Sequence, residues 1–276
     1  MKKILIVGSG SYIGRSFRTY MGLYQNEYIV SSVSARGLVP TPDLFKGYDC
    51  VFCTVGVAHI KETTENRHVF YDINYDLVVN IAEAVKKAGV EQFVLLSSMS
   101  VYGLKTGIIS KDTIANPVTA YGKSKLLADQ RIMEMADESF TFTCLRPPMV
   151  YGKNCTGNYQ RLRKLAILSP IFPDINNQRS MIYIGNLCEF VKECIDQKKA
   201  GIFFPQNYEY VNTTEMVRLI AESNGKKLRL TKAFNWIISI VPIDVIKKVF
   251  GSLTYEKTDT IARYSFFESI KESERY

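Results

Sequence analysis

Lys3-Ile-Leu-Ile-Val-Gly8-Ser-Gly10-Ser-Tyr-Ile-Gly14, near the start of the chain, is a short apolar run that leads directly into a glycine-rich loop. An amphipathic stretch follows and reaches Tyr20, so the order strand, tight turn and helix is predicted. Glycines let the backbone turn sharply and approach a pyrophosphate, whose charge is met by N–H groups at the helix start. The stretch predicts the first unit of a dinucleotide-binding fold, with a purely structural turn as the alternative. The residues expected to contact the cofactor here are Gly8, Ser9, Gly10, Ser11, Tyr12, Ile13 and Gly14.

Apolar runs of strand length alternate with amphipathic runs of helix length along the first half of the chain. Strands are predicted over 28–34, 50–55, 92–97 and 140–145, and helices over 14–21, 68–88 and 121–138. This alternation predicts right-handed crossovers and an α/β fold with a doubly wound, Rossmann-type parallel sheet. Ligands of such sheets bind beyond the carboxyl ends of the strands. The fold is therefore expected to gather Gly8, Gly56, Ser98 and Arg146-Pro-Pro148 along one edge.

Ser98, Tyr121 and Lys125 form the most informative residue set. Tyr121 and Lys125 are four residues apart in a run of helical character, so both project from one helix face. A phenol with its ordinary pKa of about 10 is a weak base at neutral pH, and a cation beside it favours the phenolate. We expect Lys125 to supply that cation and Ser98 to hold the reacting oxygen. The set predicts an enzyme that moves a proton on and off a sugar hydroxyl; a surface helix with an unrelated Tyr and Lys is the alternative.

Several motifs occur in a fixed order between Met1 and Leu187, and together they resemble those of a known family. They are the glycine-rich loop, Val55-Gly-Val-Ala-His59, Asn74, Leu96-Ser-Ser98-Met-Ser-Val-Tyr-Gly103, Tyr121 to Lys125, Arg146-Pro-Pro-Met-Val-Tyr-Gly152 and Arg179-Ser-Met-Ile-Tyr-Ile. In these motifs the chain resembles the extended short-chain dehydrogenase/reductase family, in its nucleotide-sugar epimerase/dehydratase branch, which includes enzymes like UDP-glucose 4-epimerase. The middle glycine of the family's loop falls on Ser11, so this loop is a variant.

The resemblance implies hydride transfer at C4 of a nucleotide-diphosphate sugar, with Tyr121 as acid and base. It also implies a dinucleotide-binding domain over 1–150 and a smaller mixed α/β substrate-binding lobe over 151–276, interleaved with the first. Further cofactor contacts are expected from Tyr121, Lys125, Val55, Gly56, Val57, Asn74 and Pro148. Substrate contacts are expected from His59, Ser98, Met99, Asn158 and Arg179, with the Arg179 guanidinium on the diphosphate.

Structural alternatives stay open for three of these residues. Asn74 is alternatively a helix cap, His59 a hydrogen-bonded loop residue, and Arg179 an exposed charge at a strand end. The cofactor is NAD or NADP. The run Ser31 to Arg36 ends in a base and contains no acid, which favours NADP because an acid there would accept the ribose hydroxyls of NAD.

The same machinery serves an epimerase or an NADPH-dependent 4-keto-sugar-nucleotide reductase, and the motifs do not separate them. A dehydratase is less expected, because that branch needs an additional acid/base pair where Met99 and Ser100 stand. A non-catalytic NAD(P)-sensing regulator is the alternative from another class. The resemblance also implies a role in the synthesis of surface-polysaccharide precursors and a homodimer formed through the predicted helices 68–88 and 121–138.

Composition bounds the remaining classes of function. The 276 residues are 46% apolar and 22% charged, which is typical of a soluble globular chain, and no signal segment precedes the first strand, so a cytoplasmic location is expected. The formal charge of +8 is dispersed among acids without a nucleic-acid-binding motif, so no nucleic-acid partner is expected. Six cysteines and two histidines show no metal-ligand spacing, so no metal is expected.

The segment 234–250 is the most hydrophobic part of the chain, but Pro242 and Asp244 interrupt it. It is too short and too broken to span a bilayer, so no integral membrane segment is expected. Packing of helices onto the substrate lobe is the preferred interpretation, and peripheral membrane contact is the alternative.

Overall fold

The structure is a computed structural model, and it describes residues 1–58, 60–233, 235 and 250–275. Its strands are β1 (Lys2–Val7), β2 (Tyr28–Val33), β3 (Cys50–Cys53), β4 (Gln92–Leu96), β5 (Gly107–Ile109), β6 (Thr141–Leu145), β7 (Met149–Tyr151), β8 (Ile171–Pro173), β9 (Met181–Tyr183), β10 (Gly201–Phe203), β11 (Gln206–Asn207), β12 (Arg229–Thr231), β13 (Leu253–Tyr255) and β14 (Thr260–Ile261). Its helices are α1 (Tyr12–Met21), α2 (Pro42–Phe45), α3 (Arg67–Tyr71), α4 (Val78–Lys87), α5 (Ala120–Met133), α6 (Asn158–Leu168), α7 (Ile184–Asp196), α8 (Thr213–Ser223) and α9 (Phe266–Glu274).

Contacts divide the chain into two compact units. The first unit comprises Met1–Gly103, Ile114–Pro147 and Cys188–Phe204. The second comprises Leu104–Thr113, Pro148–Leu187 and Pro205–Tyr276. Each unit is built from non-contiguous pieces of chain.

The first unit is built on a six-stranded sheet with the order β10-β6-β4-β3-β1-β2, in which every pairing is parallel. This confirms the predicted doubly wound, Rossmann-type α/β fold. Strand β2 lies on one side of β1 and β3 lies on the other, so the order in which strands are added to the sheet reverses at β1. Such a switch point opens a crevice at the carboxyl ends of the central strands, where ligands of these sheets bind.

The central strands are buried because helices cover both faces of the sheet, so they read as continuous apolar runs. Val7, Val51 and Phe93 belong to a core that also includes Val78 and Ile81 from α4. Cys50 and Cys53 are buried, and burial raises the pKa of the Cys53 thiol to about 11. These thiols therefore remain protonated at neutral pH.

Three details of the first unit differ from the sequence expectations. The predicted helix 68–88 runs from Arg67 to Lys87, but a π-helical segment, Asp72–Leu77, separates α3 from α4. The predicted helix 121–138 ends at Met133, since the side chain of Asp137 accepts hydrogen bonds from the backbone and hydroxyl of Ser139 and closes a turn into β6. Strand β10 was not predicted, because three residues are too few to show a period.

The second unit contains short two-stranded parallel pairs, β7 with β9, β8 with β12, β5 with β13 and β11 with β14. A buried carboxylate joins its helices: Glu274 on α9 accepts hydrogen bonds from Tyr159 (2.7 Å) and Arg163 (2.7 Å) on α6 and from Asn224 (2.7 Å) after α8. Within the described residues no helix has both the length and the apolar character needed to cross a bilayer. Most of the hydrophobic segment 234–250, for which helix packing was expected, lies outside the described residues.

Candidate active site

The glycine-rich loop joins β1 to α1 and is tied to the end of β2. The backbone N–H groups of Gly8 and Ser9 both donate to the Val33 carbonyl, at 2.9 and 3.0 Å. Gly8 has a φ of +105°, which L side chains rarely adopt. Ser11 is the N-cap of α1, and its hydroxyl accepts a hydrogen bond from the Gly14 N–H at 2.8 Å. The predicted strand, turn and helix therefore form as the sequence indicates.

Two glycines of the loop are required by packing, and the third is not. A Cβ on Gly8 would lie 2.6 Å from the Thr54 hydroxyl, and a Cβ on Gly14 would lie 2.9 Å from the Gly8 carbonyl oxygen. A Cβ on Gly10 would meet nothing within 4 Å. Protein contacts thus give no reason for glycine at position 10, whereas close approach of a pyrophosphate to the backbone does. The loop fits a dinucleotide.

Ser11, at the family's middle glycine position, uses its hydroxyl within the protein. Besides capping α1, the Ser11 Oγ lies 2.8 Å from the Thr54 Oγ1, which in turn is within hydrogen-bond distance of the Val7 and Gly8 carbonyl oxygens. The serine therefore stabilises the loop from its inner side. Sequence reasoning did not identify Thr54, because a threonine just after an apolar strand is not unusual.

The end of β2 carries hydroxyl and guanidinium groups. Arg36 is exposed, and its backbone N–H donates to the Ser34 hydroxyl at 3.1 Å. Arg18, on α1, reaches the Ser32 hydroxyl with its guanidinium at 3.3 Å, which places a second cation beside this strand end. The sequence from Tyr28 to Pro42 contains no Asp or Glu. Arg18 was not among the predicted residues, although it lies on α1, the helix that follows the glycine-rich loop.

Lys125, on α5, lies at the carboxyl ends of two central strands. Its Nζ donates to the carbonyl of Val55, just beyond β3, at 2.9 Å and to the carbonyl of Leu96, the last residue of β4, at 3.0 Å. A Cβ on Gly56 would lie 2.9 Å from this nitrogen, so a side chain there would displace the ammonium. Burial lowers the pKa of Lys125, and the Asp129 carboxylate is among the groups that oppose this change.

Ser98 is near enough to Tyr121 for its side chain to act on the pKa of the phenol. Ser98 follows β4 and caps a 3₁₀ turn, Met99–Tyr102, where its Oγ accepts from the Ser100 N–H at 3.1 Å. Burial raises the pKa of the Tyr121 phenol, the hydrogen bond with the Ser98 side chain opposes this rise, and the Asp129 carboxylate adds to it. Burial is the largest of these influences, so the phenol is protonated at neutral pH, and the role of Lys125 in favouring the phenolate stays a prediction.

Asn74 links the loop after β3 to helix α5. Its Oδ1 accepts from the Val57 N–H at 2.7 Å, and its Nδ2 donates to the Val57 carbonyl at 3.2 Å and to the Ser124 hydroxyl at 3.1 Å. Ser124 donates in turn to the Tyr121 carbonyl at 3.0 Å. Asn74 lies inside the π-helical segment, so it is not a helix cap. Segments of this kind are frequent at functional sites.

A buried ion pair lies behind these residues. Asp129, one helical turn after Lys125, accepts from the Arg146 Nε at 3.0 Å and from the Ser97 hydroxyl at 2.8 Å with the same carboxylate oxygen. Arg146 also donates to the Tyr102 hydroxyl at 2.9 Å. Burial raises the pKa of the Asp129 carboxyl, and the Arg146 guanidinium opposes that rise. The ion pair therefore holds the chain on both sides of Ser98, through Ser97 before it and Tyr102 four residues after it.

Sequence reasoning missed Asp129, although its spacing from Tyr121 and Lys125 puts all three on one face of α5. We expect Asp129→Asn to lower the free energy of unfolding by about 3–5 kcal/mol, because it leaves the Arg146 cation buried without a counterion. Urea denaturation measures this change. Asp129→Glu retains the charge, and we expect it to be less destabilising than the asparagine.

The exposed pair of Asp43 with Lys46 gives the control for this prediction. Asp43→Asn should leave stability unchanged, since exposed ion pairs contribute little. If Asp129→Asn were as stable as the unsubstituted protein, the pair would not hold the turn after β4 in place.

The remaining predicted residues are distributed over both units. Met99 lies in the first unit, and its N–H donates to the Pro147 carbonyl at 3.0 Å. His59 lies outside the described residues. In the second unit, Pro148 is buried and Asn158 is the exposed first residue of α6.

Arg179, also in the second unit, is not an exposed charge at a strand end. It is half-buried, its guanidinium donates to the Gly251 carbonyl at 2.6 Å, and burial lowers its pKa. Among the described residues no carboxylate forms an ion pair with it. A desolvated guanidinium with donors to spare suits an anion such as a diphosphate.

The chain is similar to known proteins over most of its length. Residues 39–203 match the sequence model of the NAD dependent epimerase/dehydratase family. A UDP-glucose 4-epimerase from Vibrio cholerae is 30% identical to this chain, over 95% of this chain and 85% of the relative.

Two solved structures share the fold. A UDP-glucuronic acid 4-epimerase from Bacillus cereus in complex with NAD superposes with a TM-score of 0.76 at 18% identity, covering 99% of this chain and 95% of the other. A dTDP-4-dehydrorhamnose reductase from Clostridium acetobutylicum superposes with a TM-score of 0.76 at 21% identity, covering 98% of each chain. The same fold thus serves enzymes with different reactions.

Proposed function

This chain belongs to the NAD dependent epimerase/dehydratase family, and from that premise we propose that it is an NAD(P)-dependent nucleotide-sugar 4-epimerase. The substrate is a nucleotide-diphosphate sugar, oxidised at C4 to a ketone and reduced again from the opposite face. One observation carries the proposal: the Ser98 side chain is near enough to Tyr121 to act on the pKa of its phenol, and Lys125, one turn later on the same helix, has its ammonium fixed at the carboxyl ends of β3 and β4. Ligands of such sheets bind at that edge.

The proton steps follow from these side chains. In the oxidative direction the Tyr121 phenolate takes the proton of the sugar C4 hydroxyl, and in the reductive direction the phenol returns a proton to the ketone oxygen. When bound, the oxidised nicotinamide supplies the carbon that accepts the hydride and a positive charge that favours the phenolate. Ser98 is proposed to donate a hydrogen bond to the same sugar oxygen, because its Oγ accepts from the Ser100 N–H at 3.1 Å and the hydroxyl keeps its own proton as a donor.

Lys125 has a positioning and an electrostatic role in this proposal. Two of the three ammonium donors are used by the Val55 and Leu96 carbonyls, which leaves one donor for the ribose of a bound cofactor. The two carbonyls also fix the direction of the side chain. Asn74 supports the arrangement, because it holds Val57 and, through Ser124, the backbone of Tyr121.

Arg179 is the residue that we propose to bind the substrate's diphosphate. Its guanidinium donors form a fork that matches phosphate oxygens, and its partial burial strengthens the attraction to an anion. Met99 and Asn158 are proposed to contact the sugar nucleotide as well. The Vibrio cholerae relative is named for UDP-glucose, and we propose a uridine or deoxythymidine diphosphate sugar here.

An NADPH-dependent 4-keto-sugar-nucleotide reductase is the second candidate, and the end of β2 favours it. Arg18 and Arg36 provide two guanidinium groups there, and no acid accompanies them between Tyr28 and Pro42. Guanidinium groups suit the 2′-phosphate of NADP, whereas an acid would favour the ribose hydroxyls of NAD. A reductase consumes NADPH stoichiometrically, and an epimerase regenerates its cofactor in each turnover.

A panel of nucleotide sugars separates the candidates. The purified chain is incubated with UDP-glucose, UDP-N-acetylglucosamine and dTDP-4-keto sugars, with NAD or NADPH, and products are separated by chromatography while cofactor absorbance is followed. Interconversion of C4 epimers without net change in cofactor supports the epimerase. Oxidation of NADPH only with the keto sugars supports the reductase. Cofactor binding without turnover on any of these compounds contradicts both and supports a sensing regulator.

A further inference from the structure

One side of α6, in the second unit, combines exposed leucines with cations. Arg161, Lys164, Leu165 and Leu168 follow the spacing of a single helix face, and together with Ser169 they line one shallow hollow in the surface. Leu165 is 48% exposed and Leu168 is 79% exposed. The buried residues of α6 are on other positions of the turn, so these leucines do not contribute to the core of this unit.

The same surface continues into the strand that follows α6. Ile171 opens β8 and is 46% exposed. Its partner in the parallel pairing with β12 is Arg229, which is also exposed and whose N–H donates to the Pro170 carbonyl at 3.0 Å. We call Arg161, Lys164, Leu165, Leu168, Ile171 and Arg229 the α6 face.

Charge is segregated around the α6 face. Residues 153–173 and 224–233 contain eight basic residues and no Asp or Glu, although the whole chain has 27 acids against 35 bases. Two of the eight pair with acids outside these ranges, Arg163 with Glu274 and Lys232 with Asp174 at 4.0 Å. The others include Lys226 and Lys227, which are exposed beside β12. A solvated helix surface of ordinary composition mixes both signs, so this separation indicates an anionic partner.

We propose that the α6 face docks the protein on an anionic membrane surface. Exposed leucine and isoleucine side chains gain free energy by entering the boundary between headgroups and acyl chains, and Lys and Arg around them bind the lipid phosphates. A second copy of the chain is a poor occupant, because a two-fold contact would bring the same cations together. A nucleic-acid backbone matches the cations but offers no apolar phase for Leu165 and Leu168.

This proposal does not depend on the proposed reaction, because none of the six residues belongs to the candidate active site. It concerns the surface at which the protein is located. An enzyme held at a bilayer by this face meets substrates that are attached to lipid, or hands its product to a membrane-bound step, and a peripheral contact of this size is reversible.

Vesicle binding tests the proposal. The full chain is sedimented with vesicles of phosphatidylcholine alone or mixed with phosphatidylglycerol, at low and high salt. We expect binding to the anionic vesicles, weakened by salt, and none to phosphatidylcholine alone. The double variant Leu165→Gln/Leu168→Gln should lower the partition coefficient about tenfold for each leucine, and Arg161→Glu/Lys164→Glu should lower it about fivefold or more for each charge.

Matched double variants on other surfaces control for general effects. Leu23→Gln/Val39→Gln removes two exposed aliphatic side chains from the first unit, and Lys87→Glu/Lys111→Glu changes the net charge by the same amount. Both should bind vesicles as the unsubstituted chain does, and thermal unfolding of all variants should match. Absence of binding to anionic vesicles, equal loss in the controls, or a dimer that only the leucine variant dissociates overturns the proposal. So does retention of RNA by this face without any retention of lipid.

Discussion

Tyr121→Phe is expected to lower kcat on the nucleotide sugar by about 10²–10⁴-fold, because the phenol is the group that exchanges the proton of the C4 hydroxyl. Phenylalanine keeps the ring in its place on α5, so the fold and the glycine-rich loop are unaffected. Cofactor affinity, measured by titration of intrinsic fluorescence or by calorimetry, should change by no more than about threefold, since one hydrogen bond at most is lost. A large loss of kcat with retained binding distinguishes a catalytic residue from a structural one.

The pH dependence adds a second readout for Tyr121. Burial raises the pKa of this phenol, so its basic form is scarce at neutral pH and kcat/KM for alcohol oxidation should increase as the pH rises. In the reductive direction the protonated form is the active one, and the dependence reverses. Both limbs should disappear in Tyr121→Phe.

Tyr208→Phe, at an exposed tyrosine of the second unit, serves as the matched control and should retain full activity. Full activity and an unchanged pH profile in Tyr121→Phe would refute the proposed proton transfer.

Lys125→Met is expected to have the second large effect. It removes the ammonium that donates to two carbonyl groups at the strand ends, and each buried acceptor left without a donor costs about 1–3 kcal/mol of stability. It also removes the ammonium that completes the site beside Tyr121, so we expect kcat/KM to decrease by about 10²-fold or more. Cofactor affinity should decrease as well, because the remaining ammonium donor is proposed to bind the ribose.

Lys123→Met is the control for this change, because Lys123 is exposed on the same helix. It should retain stability, cofactor affinity and activity. If Lys125→Met were less stable but turned over substrate at the rate of the unsubstituted chain, Lys125 would have a structural role alone, and the electrostatic part of the mechanism would be wrong.

The sheet of the first unit was largely predictable from the sequence, because its strands are continuous apolar runs bounded by glycine or polar residues. Prediction failed where a segment was too short to show a hydrophobic period, or where a local contact ended the helix that the period predicted. Strand β10 is three residues long, and the end of α5 is set by the turn at Asp137. The second unit was less predictable, since its strand pairs are two or three residues long and depend on partners far away in the chain.

The candidate site, too, was predictable from the sequence only in part. The sequence by itself determined which residue types are present: a glycine-rich loop after a buried strand, and Tyr121 and Lys125 one helical turn apart, since spacing on a helix is a local property. Only the tertiary structure decided what surrounds them. Asp129 forms an ion pair with Arg146, Asn74 accepts a hydrogen bond from the Val57 N–H, and burial raises the pKa of Tyr121. Each of these depends on groups distant in sequence, and desolvation exists only after the chain has packed, so no local pattern encodes it.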